Sequence, residues 1–248
     1  MLKVLKASLQ QGHQTIAYPK IEPALPDRFR GLPVLDRLQC PADCRACMDA
    51  CPTDALSEGL KIDFGRCLFC GNCERVCLSG AIRFSQDYRL SVRKREDLVL
   101  DKNALKRAGA LDKKSRALFG RSLKLRQVSA GGCNACEADT NVLSAVGWDL
   151  GRFGIQFVAS PRHADGLLVT GPVSDNMFSA LKKTYDAVAW PKLVIAVGAC
   201  ALSGGIYRDH PEVKNGADQV LPVDLYVPGC PPHPLTILDG LLRLLGKL

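Results

Sequence analysis

The feature that most limits what this chain can fold into is a pair of cysteine runs between Cys40 and Cys77. The first reads Cys40-Pro-Ala-Asp-Cys44-Arg-Ala-Cys47-Met-Asp-Ala-Cys51-Pro52, the second Cys67-Leu-Phe-Cys70-Gly-Asn-Cys73-Glu-Arg-Val-Cys77. Each ends in Cys-x-x-Cys-x-x-x-Cys, a spacing at which thiolates hold [4Fe–4S] cubanes. Three thiolates this close wrap one face of a cubane, and the fourth corner must be filled from elsewhere. Pro52 turns the chain away just after Cys51, because proline fixes φ and lacks an N–H. In chains with two such runs the fourth cysteine of each goes to the other run's cluster. The spacing therefore assigns one cluster to Cys40, Cys44, Cys47 and Cys77, and the other to Cys67, Cys70, Cys73 and Cys51. Two departures remove no ligand: the first gap holds three residues, and Leu78 stands where a second proline would. Structural zinc is the rival, but zinc uses four ligands, usually as two separated pairs. Two similar runs of four favour iron–sulfur. Disulfides are disfavoured, since cysteines packed this densely without a secretory signal read as a metal site in a reducing compartment.

The 248 residues are 47% hydrophobic and 23% charged, a globular composition with room for one large domain or two small ones. No apolar run reaches the roughly 18 residues of a membrane span. The start has neither a signal-type apolar region nor twin arginines, so export on its own signal is not expected. The net charge of +8 points to an acidic partner or an anionic membrane surface. Nucleic acid is not expected, because no helix-turn-helix, zinc-finger or aromatic strand pattern is present.

Residues 1–12 suit a short helix with Leu2, Leu5 and Leu9 on one side and Lys3 and Lys6 nearby, either interfacial or an ordinary surface helix. Residues 18–34 carry four prolines and read as an extended arm. The cysteine runs form an internal repeat of about 26 residues. A turn at Gly59 and short strand material separate them, and Ala81-Ile-Arg-Phe follows. Residues 86–121 are rich in Lys and Arg, Lys102 among them. With Leu105, Leu111 and Leu118 in a loose helical stripe, they read as a solvated linker helix or a basic docking surface. From Leu123 strands and helices alternate: strands near 123–125, 155–159, 166–170, 193–197 and 219–223, helices near 137–146, 177–189 and 234–245. That alternation means a doubly wound, mostly parallel sheet.

Cys133, Cys136, Cys200 and Cys230 each fall in a loop after strand material, where open α/β sheets bind ligands. They make a third site that suits a cubane or zinc by count alone. Gly131, Gly132, Gly198, Gly204, Gly205 and Gly229 would let backbone approach a bulky group. No Walker A loop or G-x-G-x-x-G is present, so nucleotide binding has no support. Glu137 beside two ligands reads as a proton relay or as a first-turn acid favoured by the helix dipole. His163 reads more readily as structural than functional. His13, His210 and His233 carry no pattern.

Gly-Gly-Cys133-Asn-Ala-Cys136-Glu137, Ser160-Pro-Arg162-His163-Ala-Asp165 through Gly171-Pro172, Gly198-Ala-Cys200-x-x-Ser203-Gly-Gly-Ile206 and Pro228-Gly-Cys230-Pro-Pro resemble the small subunit of membrane-bound group 4 [NiFe] hydrogenases. They also resemble the homologous complex I subunit of 20 kDa type. Complex I has adjacent cysteines at the first position, so Cys133-x-x-Cys136 leans to the hydrogenase side. Tyr18-Pro19 and Phe29-Arg30-Gly31-Leu32-Pro33 leading into the eight cysteines are similar to the two-cluster ferredoxin subunit of the same complexes, here fused. The resemblance implies an arm (1–34), an α+β ferredoxin-like two-[4Fe–4S] domain (35–85), a basic linker (86–121) and an α/β flavodoxin-like doubly wound domain (122–248). It implies three [4Fe–4S] clusters on the twelve cysteines, a [NiFe]-hydrogenase-like large subunit holding the active site, and membrane-arm subunits. It further implies a soluble ferredoxin or other redox donor, and a peripheral position on the cytoplasmic face of the cell membrane. The alternatives are a complex I-like NADH/ferredoxin-quinone oxidoreductase subunit and, from another class, a free-standing ferredoxin-type carrier with a regulatory domain.

Overall fold

The computed structural model describes residues 2–12, 14–100 and 105–248; Met1, His13 and the linker's Lys102 lie outside the described residues. Helix α1 (Leu2–Gln11) is built from good helix formers and stops at Gly12, whose φ is +60°. Every one of its residues is exposed. The arm that follows is extended, as its prolines predict, but it is not loose. Tyr18 is buried, and Leu32 exchanges backbone bonds with Ser85 and Asp87. Strand β1 (Pro33–Leu35) ends it.

The cysteine module comes next: α2 (Ala46–Asp49), β2 (Leu56–Ser57), β3 (Lys61–Asp63), α3 (Asn72–Val76) and β4 (Ile82–Phe84). β2 and β3 form the hairpin expected around Gly59, and β4 pairs antiparallel with β1. The short helices α2 and α3 are the two copies of the repeat, each carrying the third cysteine of its run.

Residues 86–121 depart from the expected solvated helix. Tyr88, Leu90 and Val92 alternate with Arg89, Ser91 and Arg93, and the three apolar side chains are 4%, 2% and 0% exposed. That is strand periodicity, and Val92 bridges antiparallel to Tyr226 in the C-terminal sheet. Strand β5 (Val99–Leu100) then adds to β3. Only α4 (Lys113–Phe119) is α-helical here among the described residues, capped by Asp112 accepting from Lys114 and Ser115 N–H groups. The stripe of three leucines does not hold as a face: Leu111 is buried and Leu118 is 56% exposed.

The C-terminal part runs β6 (Leu123–Ser129), α5 (Ala135–Asn141), β7 (Ile155–Phe157), β8 (Gly166–Thr170), α6 (Asp175–Ala187), β9 (Leu193–Val197), α7 (Ala199–Ser203), β10 (Leu225–Val227) and α8 (Pro234–Leu244). The sheet is wholly parallel in the order β10-β9-β8-β6-β7. Counted along the sheet's own strands that is 2-1-3-4-5, the flavodoxin-like order. β8 and β9 are buried at every position, as their uniform apolar runs predict. The strand expected at 219–223 is absent. Residues Ala217–Gln219 form a 3₁₀ turn, Pro222 has no N–H to give a ladder, and the Asp224 carboxylate takes the Val194 N–H, so pairing begins one residue later. One apolar cluster runs from Leu35, Ile62 and Phe64 through Val92 to Val128, Leu167 and Ala196, so the cysteine module and the sheet share a core.

Candidate metal centres

The first quartet lines a single cavity. Cys40, Cys44, Cys47 and Cys77 surround a space of about 180 Å³ walled by Leu60, Val76 and Ile82. Cys40 and Cys47 are pushed above the ordinary thiol pKa, first by burial and then by the neighbouring thiols, Cys77 among them. Burial pushes Cys77 the same way, but the Ser79 hydroxyl and the N–H groups of Gly80, Ala81 and Ile82 outweigh it and hold Cys77 below the usual range. Cys77 belongs to the second run, so this cavity is lined from both runs.

The second quartet repeats the arrangement. Cys51 sits with Cys67, Cys70 and Cys73 around one small space closed by Leu56, Ile62 and Phe84. Burial raises Cys67 strongly and Cys73 to about 11, and both feel Cys51. Two sulfurs accept backbone bonds: Cys51 Sγ from Ala55 N–H at 3.2 Å and Cys67 Sγ from Phe69 N–H at 3.3 Å. Bonds of this kind tune a thiolate-bound metal.

The third set gathers at the carboxyl edge of the sheet. Cys133 and Cys136 follow β6, Cys200 opens α7 after β9, and Cys230 follows β10. Burial, then Cys200, Glu137, Cys230 and Cys133, push the Cys136 thiol up; burial and Cys230 push Cys200 up to about 11. Glycine is required at two positions. Gly198 has φ +89°, and a Cβ there would meet Cys136 Sγ at 2.4 Å; at Gly205, with φ +57°, it would meet Cys200 Sγ at 2.7 Å.

The sets adjoin one another. Cys47 of the first raises the pKa of Cys73 of the second, and Cys70 of the second raises that of Cys230 of the third. Ser203 on α7 donates to the Gly65 carbonyl at 2.7 Å, tying the third site to the second run. The second set therefore adjoins both the first and the third. Among the described residues no three His, Cys, Asp or Glu side chains converge closely enough to hold a single ion. All twelve cysteines are free thiols, and each quartet surrounds a gap or a glycine-lined cradle. Such an arrangement fits a bulky thiolate-bound cluster better than a mononuclear site.

The weaker sequence candidates separate clearly. Glu137 is 6% exposed and accepts from Ser129 and Thr170 hydroxyls at 2.5 and 2.6 Å. Asp165 accepts the Lys124 N–H at the far, amino-terminal edge of the sheet, with exposed Arg162 and His163 beside it. Those three residues lie away from the cysteines. His233, which has no sequence pattern, lines a cavity of about 240 Å³ with Cys230, Phe69 and Arg30. Its ring meets Phe29 and Trp148 edge-on, and its Nδ1 accepts the Leu235 N–H that starts α8. The only advance sign was its place one residue before the helix-opening Pro234.

The family model for the 20 kDa subunit of NADH ubiquinone oxidoreductase matches residues 133–244, the stretch with the third cysteine set. The probable membrane-bound hydrogenase subunit mbhJ of Pyrococcus furiosus is 43% identical over 130 residues, 52% of this chain and 78% of that protein. A subunit of the NADH-quinone oxidoreductase of Bacteroides fragilis is 45% identical over 116 residues, 46% of this chain and 59% of that protein. Formate hydrogenlyase subunit 7 of Escherichia coli is 44% identical over 128 residues, covering 52% and 50%. These relatives are oxidoreductase subunits of hydrogenase or NADH-quinone oxidoreductase complexes.

Proposed function

The chain belongs to the NADH ubiquinone oxidoreductase 20 kDa subunit family, and from that premise we propose that it is the iron–sulfur electron-transfer subunit of a membrane-associated [NiFe]-hydrogenase-type complex. The family binds a [4Fe–4S] cluster, which Cys133, Cys136, Cys200 and Cys230 would hold here. Cys40, Cys44, Cys47 and Cys77 would hold a second, and Cys67, Cys70, Cys73 and Cys51 a third, in a ferredoxin-like module fused ahead of the family domain. When bound, each cluster supplies one-electron redox chemistry.

The observation that carries the proposal is three neighbouring thiol sets, two lining cavities and the third tied to the second run through Ser203 and the Gly65 carbonyl. The chain's own residues fix the thiolates, exclude water with the Leu56, Ile62 and Phe84 walls, and donate backbone N–H groups to sulfur. The reacting centre would lie on a large subunit covering the third set. Cys133-x-x-Cys136 favours a hydrogenase partner, and relatives of the quinone-reducing kind support a complex I-like large subunit as the second reading.

Anaerobic reconstitution followed by iron and acid-labile sulfide assay tests this. About twelve of each per chain are expected, at four per cubane. A value near eight removes one cluster, and tightly bound zinc in place of iron overturns the reading.

A further inference from the structure

We propose that α1 is an interfacial helix that seats the chain directly on anionic lipid headgroups. A surface helix in a globular protein gains its stability by laying an apolar face on the core. None of α1 is buried. Leu2, Leu5 and Leu9 are 85%, 60% and 83% exposed, and at 3.6 residues per turn they fall within an arc of about 60°. An isolated helix of ten residues is marginal in water, so this face calls for a cover that the other described residues do not supply.

Charge selects the cover. Residues 1–21 contain Lys3, Lys6 and Lys20 and no Asp or Glu. Lys6 lies beside the leucine arc, where its stem can lie along the apolar face while its ammonium reaches outward. A positive helix with a leucine stripe and no acid matches an anionic bilayer surface. At about 15 Å it is too short to cross one, so it would lie in the plane.

The helix is not on a free tether. Thr15 Oγ1 donates to the Val146 carbonyl and Ile16 N–H to the Gly147 carbonyl, at 3.2 and 2.9 Å. Val146 is itself 70% exposed. The lipid would thus meet the molecule beside the turn that follows α5, the helix carrying Cys136. This inference does not depend on whether the cysteines hold clusters.

The test is co-sedimentation of the full chain with phosphatidylglycerol–phosphatidylcholine vesicles and with pure phosphatidylcholine vesicles. Binding is expected only to the anionic vesicles and should weaken as salt rises. Lys3→Gln and Lys6→Gln should each weaken it about fivefold, and Leu5→Glu with Leu9→Glu should abolish it. Those side chains are exposed, so an unchanged thermal midpoint separates lost binding from lost folding. No vesicle binding overturns the proposal, and so does binding that survives the double glutamate variant. If that variant instead releases the chain from a purified membrane-arm subunit without vesicles present, the face belongs to a protein groove and the lipid assignment is wrong.

Discussion

At Gly198 a single hydrogen atom decides whether the third site can form. Its φ of +89° strains any other residue, and a Cβ would lie 2.4 Å from Cys136 Sγ. Gly198→Ala is therefore predicted to displace Cys136 and lower reconstituted iron from about twelve to about eight per chain, with the signals of the other two clusters unchanged by EPR. The crossed quartets give a companion prediction. Cys51→Ala should damage the cluster of Cys67, Cys70 and Cys73, and Cys77→Ala that of Cys40, Cys44 and Cys47. EPR showing each change confined to its own run would refute the grouping. Asp87 offers a pH readout. Burial raises its pKa, but bonds from the Arg89 side chain and N–H and the Arg107 charge prevail and hold it below the usual range. A carboxyl lowered on folding stabilises above its unfolded pKa of about 3.9, and the gain is lost as pH falls through the folded value. Asp87→Asn should lower the urea midpoint at pH 7, and the gap from the unsubstituted protein should close as pH falls through the lowered folded value.

Between elements one long-range tie runs from the arm to α8. Asp239 is 1% exposed and accepts from Tyr18 OH at 3.1 Å and from Arg243 Nε at 2.8 Å. Burial and this carboxylate push the Tyr18 phenol far above its usual range. Asp239→Ala leaves a buried hydroxyl and a half-buried guanidinium without their acceptor. A loss of about 3 kcal/mol in denaturant unfolding is predicted, with earlier proteolysis of the arm; Tyr18→Phe should cost about 1 kcal/mol. A stability change below about 1 kcal/mol for Asp239→Ala would show that the arm is held elsewhere. Nothing in the sequence announces this pair, 221 residues apart. Legibility followed the range of the signal. β8, β9, α6 and α8 were readable because a uniform apolar run or a 3.6-residue period states burial locally. The loop carrying Cys200 was readable because it follows such a strand, and that of Cys133 because alternation marks β6; Cys230 follows β10, which the sequence reading placed too early in the chain. The Tyr88–Val92 alternation was also present, but its arginines drew the stretch towards a solvated helix. The partner that buries it, Tyr226, lies far along the chain. Lys and Arg content says little about burial when the apolar positions between them alternate.

At the scale of the molecule the sheet has two unlike ends. The carboxyl end carries Cys133, Cys136, Cys200 and Cys230, with Ile206 61% exposed and Tyr207 40% exposed beside them. Residues 131–136 and 228–232 contain no charged side chain, the composition found at the centre of lasting interfaces. The amino-terminal end carries α4, which leads into β6, with Leu111 N–H bonded to the Leu244 carbonyl at the end of α8. Lys113, Lys114 and Arg116 project there. The two surfaces should therefore act independently. With a large subunit added, hydrogen exchange should slow at Gly131–Glu137, Gly198–Ile206 and Pro228–Pro232. Reversing Lys113, Lys114 and Arg116 to acids should weaken association with an acidic donor or with lipid, while affinity for the large subunit stays within about threefold, as expected for exposed charges beyond the screening length of the interface. Loss of that affinity on charge reversal, with the cysteine loops still exchanging freely, would place the partner on the amino-terminal end instead. The third thiol set would then face solvent, and it could not deliver electrons to a centre on that partner.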